Sequence, residues 1–355
     1  MVKIYATTDV HGYVEKLGEL QNLVTADDLL IDVGDFFVGS PQTTYFNAQL
    51  PVSPLVEVAN QLQYDVMVPG NHDFDYGIDH LQKQIQHLKA RYLCANLMYN
   101  NDEPIFEPFQ IFERGGLRIG VIGVVTSLLS VILQFEKSKE FKCLNVIETL
   151  RKWLPVLQQE ADFILVAYHG GLERNLETGA FTQYDTGEDE AYKILLNFPE
   201  IDVLLCGHQH RSNVGNVGKS LLLQPGHRGQ QIGVATLPTR EGELLETSDK
   251  VPLKIPFNQA DYEAWLQSEV DTSYLEDYLK RLSPDADELD IQLKGKTVQD
   301  FLESFNVPYS VCQYRLESGV RILTNRDTYP SYRLEKQFVT NIFDEYLGEL
   351  SQKNE

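Results

Sequence analysis

Five short segments hold most of the residues in this chain that could do chemistry: Asp9-Val10-His11, Gly34-Asp35, Gly70-Asn71-His72-Asp73, His169-Gly170-Gly171 and Gly207-His208-Gln209-His210. Carboxylate and amide oxygens combined with imidazole nitrogens form a mixed donor set that suits hard or borderline divalent cations. Five of the eight histidines fall in these segments, close to glycine or to another donor. Two cations held roughly 3.5–4 Å apart repel one another unless they share an anionic ligand. Asp35, which follows the aliphatic run Leu29-Leu30-Ile31-Asp32-Val33, is the natural bridge. Taken singly, each of these residues is an ordinary polar side chain. The ordered set carries the signal.

Such segments converge only if the elements before them are aligned. Up to about Pro238, short aliphatic or β-branched runs alternate with amphipathic stretches, the pattern of sheets covered by helices. The expected strands are 3–8, 29–33, 65–68, 118–125, 163–167 and 203–206, with hairpin-like runs at 220–223 and 232–237. Helical periodicity falls near 53–62, 78–88 and 146–158. The donor segments then lie just beyond strand ends, where the loops of layered α/β proteins form a common crevice.

Composition limits what such a crevice could take. Thirty basic against 52 acidic residues give a formal charge of −22. That surplus repels long nucleic acids and anionic membrane surfaces. A small phosphate ester would be repelled as well, so a site for one must carry its own positive charge, which bound cations would provide. Cys94, Cys143, Cys206 and Cys312 form no C-x-x-C pair. Structural zinc on thiolates is therefore not expected, and the usage suits a reducing compartment. The chain opens directly on a strand-like run without a basic segment and apolar core, and no apolar stretch reaches the ~20 residues of a membrane span. These features together predict a soluble, cytoplasmic protein.

Three units are expected: a metal-binding domain over 1–239, a polar linker over 240–259 and a smaller unit over 260–355. The last reads as mainly helical, because Leu334, Phe338, Ile342 and Tyr346, with Val339, Phe343 and Leu347, make a wide apolar face. Arg315, Arg321, Arg326 and Arg333 are dense for so acidic a chain, and a solvated or salt-bridged face is the favoured reading. His80 and His87 read as the solvated side of a Gln-rich helix. His227 and Arg228, in the turn after Gln224-Pro225-Gly226, could overlook a phosphate or serve no role beyond the turn.

The series D-x-H, G-D, G-N-H-D and G-H-x-H, in this order over residues 1 to about 211, resembles the calcineurin-like metallophosphoesterase superfamily. Within it, Gly70 to Gly77, Ala95-Asn96-Leu97 and Gly187-Glu188-Asp189-Glu190-Ala191 are similar to the bacterial 5′-nucleotidase and 2′,3′-cyclic phosphodiesterase family. The resemblance implies a four-layer α/β/β/α sandwich and two divalent ions, Mn²⁺, Fe²⁺, Zn²⁺ or Co²⁺. It implies that one ion takes Asp9, His11, Asp35 and His210, and the other Asp35, Asn71, His169 and His208. The chemistry implied is attack on phosphorus by a metal-activated water, without a phosphoenzyme.

The leaving oxygen needs a proton, and His72, beside Asn71, is the expected donor. Asp75 would orient its ring, in a dyad resembling that of nucleotidases, could cap the helix that begins at Ile78, or could do both. The family clamps its base between aromatic side chains, a comparison that Phe301, Phe305, Tyr309 and Tyr314 invite. The expected substrate is therefore a small phosphate monoester or cyclic diester, foremost a nucleotide. One alternative is a phosphatase or pyrophosphatase acting on another metabolite, such as a nucleotide sugar. An alternative of another class is a metal-containing binding or scaffold protein, against which the retained His72 argues, since a structural centre needs no proton donor.

Overall fold

Strands buried on both faces form the middle of two six-stranded sheets in the computed structural model, which describes residues 1–133, 139, 141–266, 312–317 and 319–324. In chain order the strands are β1 (Val2–Thr7), β2 (Leu29–Asp32), β3 (Val66–Met67), β4 (Arg91–Tyr92), β5 (Leu97–Tyr99), β6 (Phe109–Arg114), β7 (Leu117–Val125), β8 (Phe141–Cys143), β9 (Phe163–His169), β10 (Val203–Cys206), β11 (Ser212–Val217), β12 (Ser220–Pro225), β13 (Gln231–Leu237) and β14 (Glu241–Glu246). The first sheet runs β14-β13-β1-β2-β3-β4 and the second β11-β12-β10-β9-β7-β6. In the first, β1 to β4 are parallel, as are β12, β10, β9 and β7 in the second. Parallel pairing points those carboxyl ends one way, which is what gathers the loops.

The layers follow from alternation along each strand. Ile4, Ala6 and Ile31 of the first sheet share a buried core with Val121, Leu165, Leu205 and Leu223 of the second. The opposite face of the second sheet buries Ile122, Val166 and Leu204 under helix Val146–Glu160, whose Val146, Leu150, Leu154 and Leu157 recur at helical spacing. Asn145 starts that helix by accepting the Glu148 amide at 3.1 Å. On the outer face of the first sheet, Tyr5 donates to the Leu23 carbonyl at 3.1 Å, and the Thr7 and Tyr64 hydroxyls meet at 2.8 Å. Helix Leu55–Leu62, just before Tyr64, buries Leu55, Val58, Ala59 and Leu62. This is the expected four-layer α/β/β/α arrangement.

One stretch read as linker is structured. Glu241–Glu246, inside the expected connection 240–259, pairs antiparallel with β13 as an edge strand. Its charged alternating residues hide it from a hydrophobic pattern and also guard the open edge.

The chain divides into Met1–Val38 with Pro51–Pro256, and Gly39–Leu50 with the described residues from Phe257 onward. In the second unit, helices Pro41–Gln49 and Gln259–Leu266 meet through Tyr45 and Tyr262, 5.4 Å between ring centroids, and Phe257, just before the second helix, lies 5.0 Å from Phe46. An antiparallel ribbon, β15 (Cys312–Glu317) with β16 (Gly319–Thr324), carries Tyr314, Arg315 and Arg321 on its backbone. Phe301, Phe305, Tyr309, Arg326, Arg333 and the apolar helical face from Leu334 to Leu347 lie outside the described residues. Among the described residues no helix is long and apolar enough to cross a membrane, and Cys94, Cys143 and Cys206 are unpaired.

Candidate metal centre

Loops after β1 and β2 are laced together by their backbones: Asp9 N–H donates to Gly34 O at 2.9 Å, His11 to Asp35 at 2.8 Å and Gly12 to Phe36 at 3.0 Å. The Asp35 side chain reaches the loop after β3, where its Oδ1 accepts the His72 amide at 2.8 Å. Asp73 ties the same loops from below, accepting the amides of Gly70 at 2.9 Å, Asp35 at 3.1 Å and Phe37 at 3.3 Å. Glycine is required at two of these positions. A Cβ on Gly70 would stand 2.1 Å from Asp35 Oδ1, and one on Gly34, whose φ is +97°, 2.5 Å from His169 Nδ1. Asp9, His11, Asp35, His208 and His210 are themselves left-handed, with φ of 50°, 52°, 58°, 71° and 56°. Asp and His adopt this region more readily than most residues, at about 1 kcal/mol or more each.

The seven expected ligands come together from both sheets. His210 Nε2 lies 3.5 Å and His11 Nε2 4.0 Å from Asp9 Oδ1, and the two imidazole nitrogens are 3.0 Å apart. Next to this group, His169 Nε2 stands 3.4 Å from Asp35 Oδ2 and 3.2 Å from Asn71 Oδ1. Donor atoms of Asp9, His11 and His210, and likewise of Asp9, Asp35 and His169, fall within 4.8 Å of one another. His208 adjoins them, its backbone N–H on Asp9 Oδ2 at 2.9 Å and its ring edge-on to that of His169 at 5.4 Å.

The donors fit divalent cations. Asp9 Oδ2 accepts from Thr8 Oγ1 at 2.7 Å, whereas Oδ1, fully buried, accepts no hydrogen bond from any described residue. A buried carboxylate oxygen without a partner is costly unless a cation satisfies it. Backbone carbonyls select the histidine tautomers. His11 Nδ1 lies 2.7 Å from Val38 O and His169 Nδ1 2.6 Å from Val33 O, so these nitrogens carry the protons and each Nε2 presents a lone pair inward.

With that geometry in place, comparison with known proteins decides the lineage. The sequence model of the calcineurin-like phosphoesterase family matches residues 2–212. The chain belongs to this family. A 2′,3′-cyclic-nucleotide 2′-phosphodiesterase/3′-nucleotidase of Salmonella typhimurium is 27% identical over 284 residues, 66% of this chain and 43% of that protein. A 5′-nucleotidase of Vibrio cholerae is 29% identical over 189 residues, 51% of this chain and 32% of its own length. The chain thus spans less than half of these curated relatives. Among solved structures, a candidate 5′-nucleotidase from Staphylococcus aureus in complex with α-ketoglutarate superposes with a TM-score of 0.65 at 26% identity, covering 93% of this chain and 72% of its own.

In this calcineurin-like phosphoesterase, burial and charge sort the histidines. Burial pulls His11 down to about 3 and also lowers His210, which keeps both neutral as ligands must be. Burial likewise opposes a charge on His169, but Asp35 outweighs it and raises His169 to about 10. Asp35 in turn, although burial pushes it up, is held well below the carboxylate range by His169 and His72. A proton on His169 Nε2 and a cation compete for one lone pair. Asp73 is pushed up to about 7 by its burial and by the Asp35 charge.

His72 Nδ1 and Asp75 Oδ2 are 3.0 Å apart on the turn after Asn71. Burial would lower His72, but Asp75 and Asp35 prevail and raise it to about 9. Helix Ile78–Ile85 begins after Gly77, two residues beyond Asp75. His80 and His87 stay on that helix and its end, with His80 bonded to Gln84 at 3.1 Å.

Two sets of contacts at the site go beyond the sequence reading, which for His227 and Arg228 was a turn that could overlook a phosphate. His227 stacks on His210, with ring centroids 4.8 Å apart and planes 7° from parallel. Arg228 donates its backbone N–H to Asp9 O at 2.8 Å and lays its guanidinium 4.7 Å from the Tyr13 ring centroid. The flanking glycines of Gly226-His227-Arg228-Gly229 were the available signal. Glu188, whose Oε1 lies 2.7 Å from His208 Nε2, is the other.

Proposed function

We propose that the protein is a dinuclear metal-dependent phosphoesterase whose substrate is a small phosphate monoester or cyclic diester, foremost a nucleotide. The observation that carries this reading is the buried Oδ1 of Asp9, which accepts no hydrogen bond from any described residue and faces His11 and His210 beside the Asp35, Asn71 and His169 group. Asp9, His11, Asp35 and His210 would hold one cation, and Asp35, Asn71, His169 and His208 the other. When bound, the cations supply positive charge for the phosphate oxygens and a water acidic enough to act as nucleophile.

The chain's own residues do the rest. His72, charged near neutral pH and partly exposed at the rim, donates its proton to the leaving oxygen. Asp75 holds that ring by Nδ1, so that Nε2 carries the transferable proton. Asp73 and Gly34 keep the loops of Asp35 and Asn71 at contact distance. The names of the Salmonella typhimurium and Vibrio cholerae relatives support a nucleotide as substrate. The mixed O/N donor set supports Mn²⁺ as the first metal to test, with Fe²⁺, Zn²⁺ and Co²⁺ after it.

The test is to strip the protein of metal, restore Mn²⁺, and measure product release from 5′-nucleoside monophosphates, 2′,3′-cyclic nucleotides, nucleotide sugars and aryl phosphates. Turnover of a nucleotide is the expected result. Activity confined to aryl phosphates would keep the reaction class and remove the nucleotide. Preference for a nucleotide sugar would move the assignment to pyrophosphate chemistry, and inactivity with every metal would reject the reading.

A further inference from the structure

The segment Gly187-Glu188-Asp189-Glu190 carries three carboxylates, two of which the fold itself employs. Asp189 accepts the Gly171 amide at 2.7 Å and Gln209 Nε2 at 2.8 Å, and Glu190 accepts Ser127 Oγ at 3.0 Å and pairs with Lys193. Glu188 differs. Its main-chain carbonyl is gripped by two buried hydroxyls, Thr126 Oγ1 at 2.7 Å and Tyr168 OH at 3.0 Å. Its side chain, 35% exposed, then turns to His208, with 2.7 Å between Oε1 and Nε2.

We propose that Glu188 is a positioning residue of the metal centre, determining which nitrogen His208 offers to a cation. The inference rests on the dinuclear reading above. An ionised carboxylate only accepts hydrogen bonds, so its contact with Nε2 places the histidine proton there and leaves the lone pair on Nδ1. His11 and His169 are held the opposite way, by carbonyls on Nδ1 that free Nε2. His208 thus needs a separate orienting group on its far nitrogen. Glu188 supplies it, with a negative charge that strengthens the imidazole as a donor. The two hydroxyls on its carbonyl explain why a partly exposed glutamate keeps this direction: the backbone is anchored in the core, and the side chain spans only from there to the ring.

The 355-residue chain and its Glu188→Ala and Glu188→Gln variants are stripped of metal and titrated with Mn²⁺ by calorimetry, with bound metal counted by elemental analysis. Wild type should take two ions. Glu188→Ala should bind one of them about 10–100-fold more weakly, the loss typical of an outer-sphere partner, and the other unchanged. Glu188→Gln, whose amide oxygen still accepts from Nε2–H, should recover much of the difference. Thermal unfolding of metal-free wild type and variants should coincide, which a purely structural role would not allow. Glu188→Ala binding two ions as tightly as wild type overturns the proposal, as does a loss that Glu188→Ala retains when His208 is already alanine. A wild type that binds fewer than two ions rejects the dinuclear reading instead, and the role of Glu188 with it.

Discussion

The two sheets contribute to the centre in different chemical currencies. Loops of the first sheet bring the oxygens, Asp9, Asp35 and Asn71, with His11 alone among nitrogens, whereas β9 and β10 of the second deliver only imidazoles, His169, His208 and His210. On the oxygen side each carboxylate has one atom committed to the protein: Asp9 Oδ2 to Thr8 and the His208 amide, Asp35 Oδ1 to the His72 amide. On the imidazole side the decisive variable is which nitrogen holds the proton. That choice is made across the seam, since the His169 proton is taken by Val33 at the end of β2. One sheet therefore supplies charge and the other supplies lone pairs, and each fixes the other.

Substitutions on the two sides should separate these contributions. Asp35→Asn removes the anion expected to be shared, so turnover should fall by about 10³-fold or more and bound metal should drop at both positions, read by kcat and by elemental analysis. His169→Ala removes a lone pair from one ion alone. It should cost about 10²-fold in turnover while one ion stays at near wild-type affinity. Equal loss of both ions in the two variants would erase the distinction between charge and lone pair. Asp75→Asn lies outside the ligand set, and it should lower kcat about tenfold with two ions still bound, since a misoriented His72 remains present. A change in metal count here would instead tie the dyad to the ligands.

The smallest effect should come from behind the second sheet. Buried Asn96 donates to Val125 O at 2.7 Å and Leu144 O at 3.1 Å and accepts the Val125 amide at 3.0 Å. Asn96→Ala should destabilise the protein by about 1–3 kcal/mol in denaturant unfolding without changing metal affinity. Weakened metal binding in that variant would extend the centre into its support.

How much of this was legible in the sequence depended on where a strand sits. The eight inner strands, β13, β1, β2, β3, β12, β10, β9 and β7, all fall on runs read beforehand, because neighbours on both sides force aliphatic residues into them. The four outer strands, β14, β4, β11 and β6, were missed. Ser212–Val217 and Glu241–Glu246 alternate with exposed positions, and Arg91–Tyr92 is two residues long, so none forms an apolar run. The donor segments were legible because ordered motifs survive without tertiary knowledge. The contacts of His227 and Glu188 were not, since stacking on His210 and orientation of His208 join residues whose separation in sequence says nothing about proximity.

The left-handed backbone at Asp9, His11, Asp35, His208 and His210 narrows the alphabet from which this centre can be rewritten. Asparagine and glycine tolerate that conformation, so replacing Asp9 or Asp35 by asparagine edits charge while leaving the main chain at ease. A β-branched residue at any of these positions would meet a steric penalty before any question of metal affinity arose. Recruiting a softer cation by placing cysteine at 11 or 210 carries a conformational cost of about 1–2 kcal/mol per site. Retuning the metal preference by design, or by drift, is therefore easiest through neighbours that hold the ligands rather than through the ligands themselves.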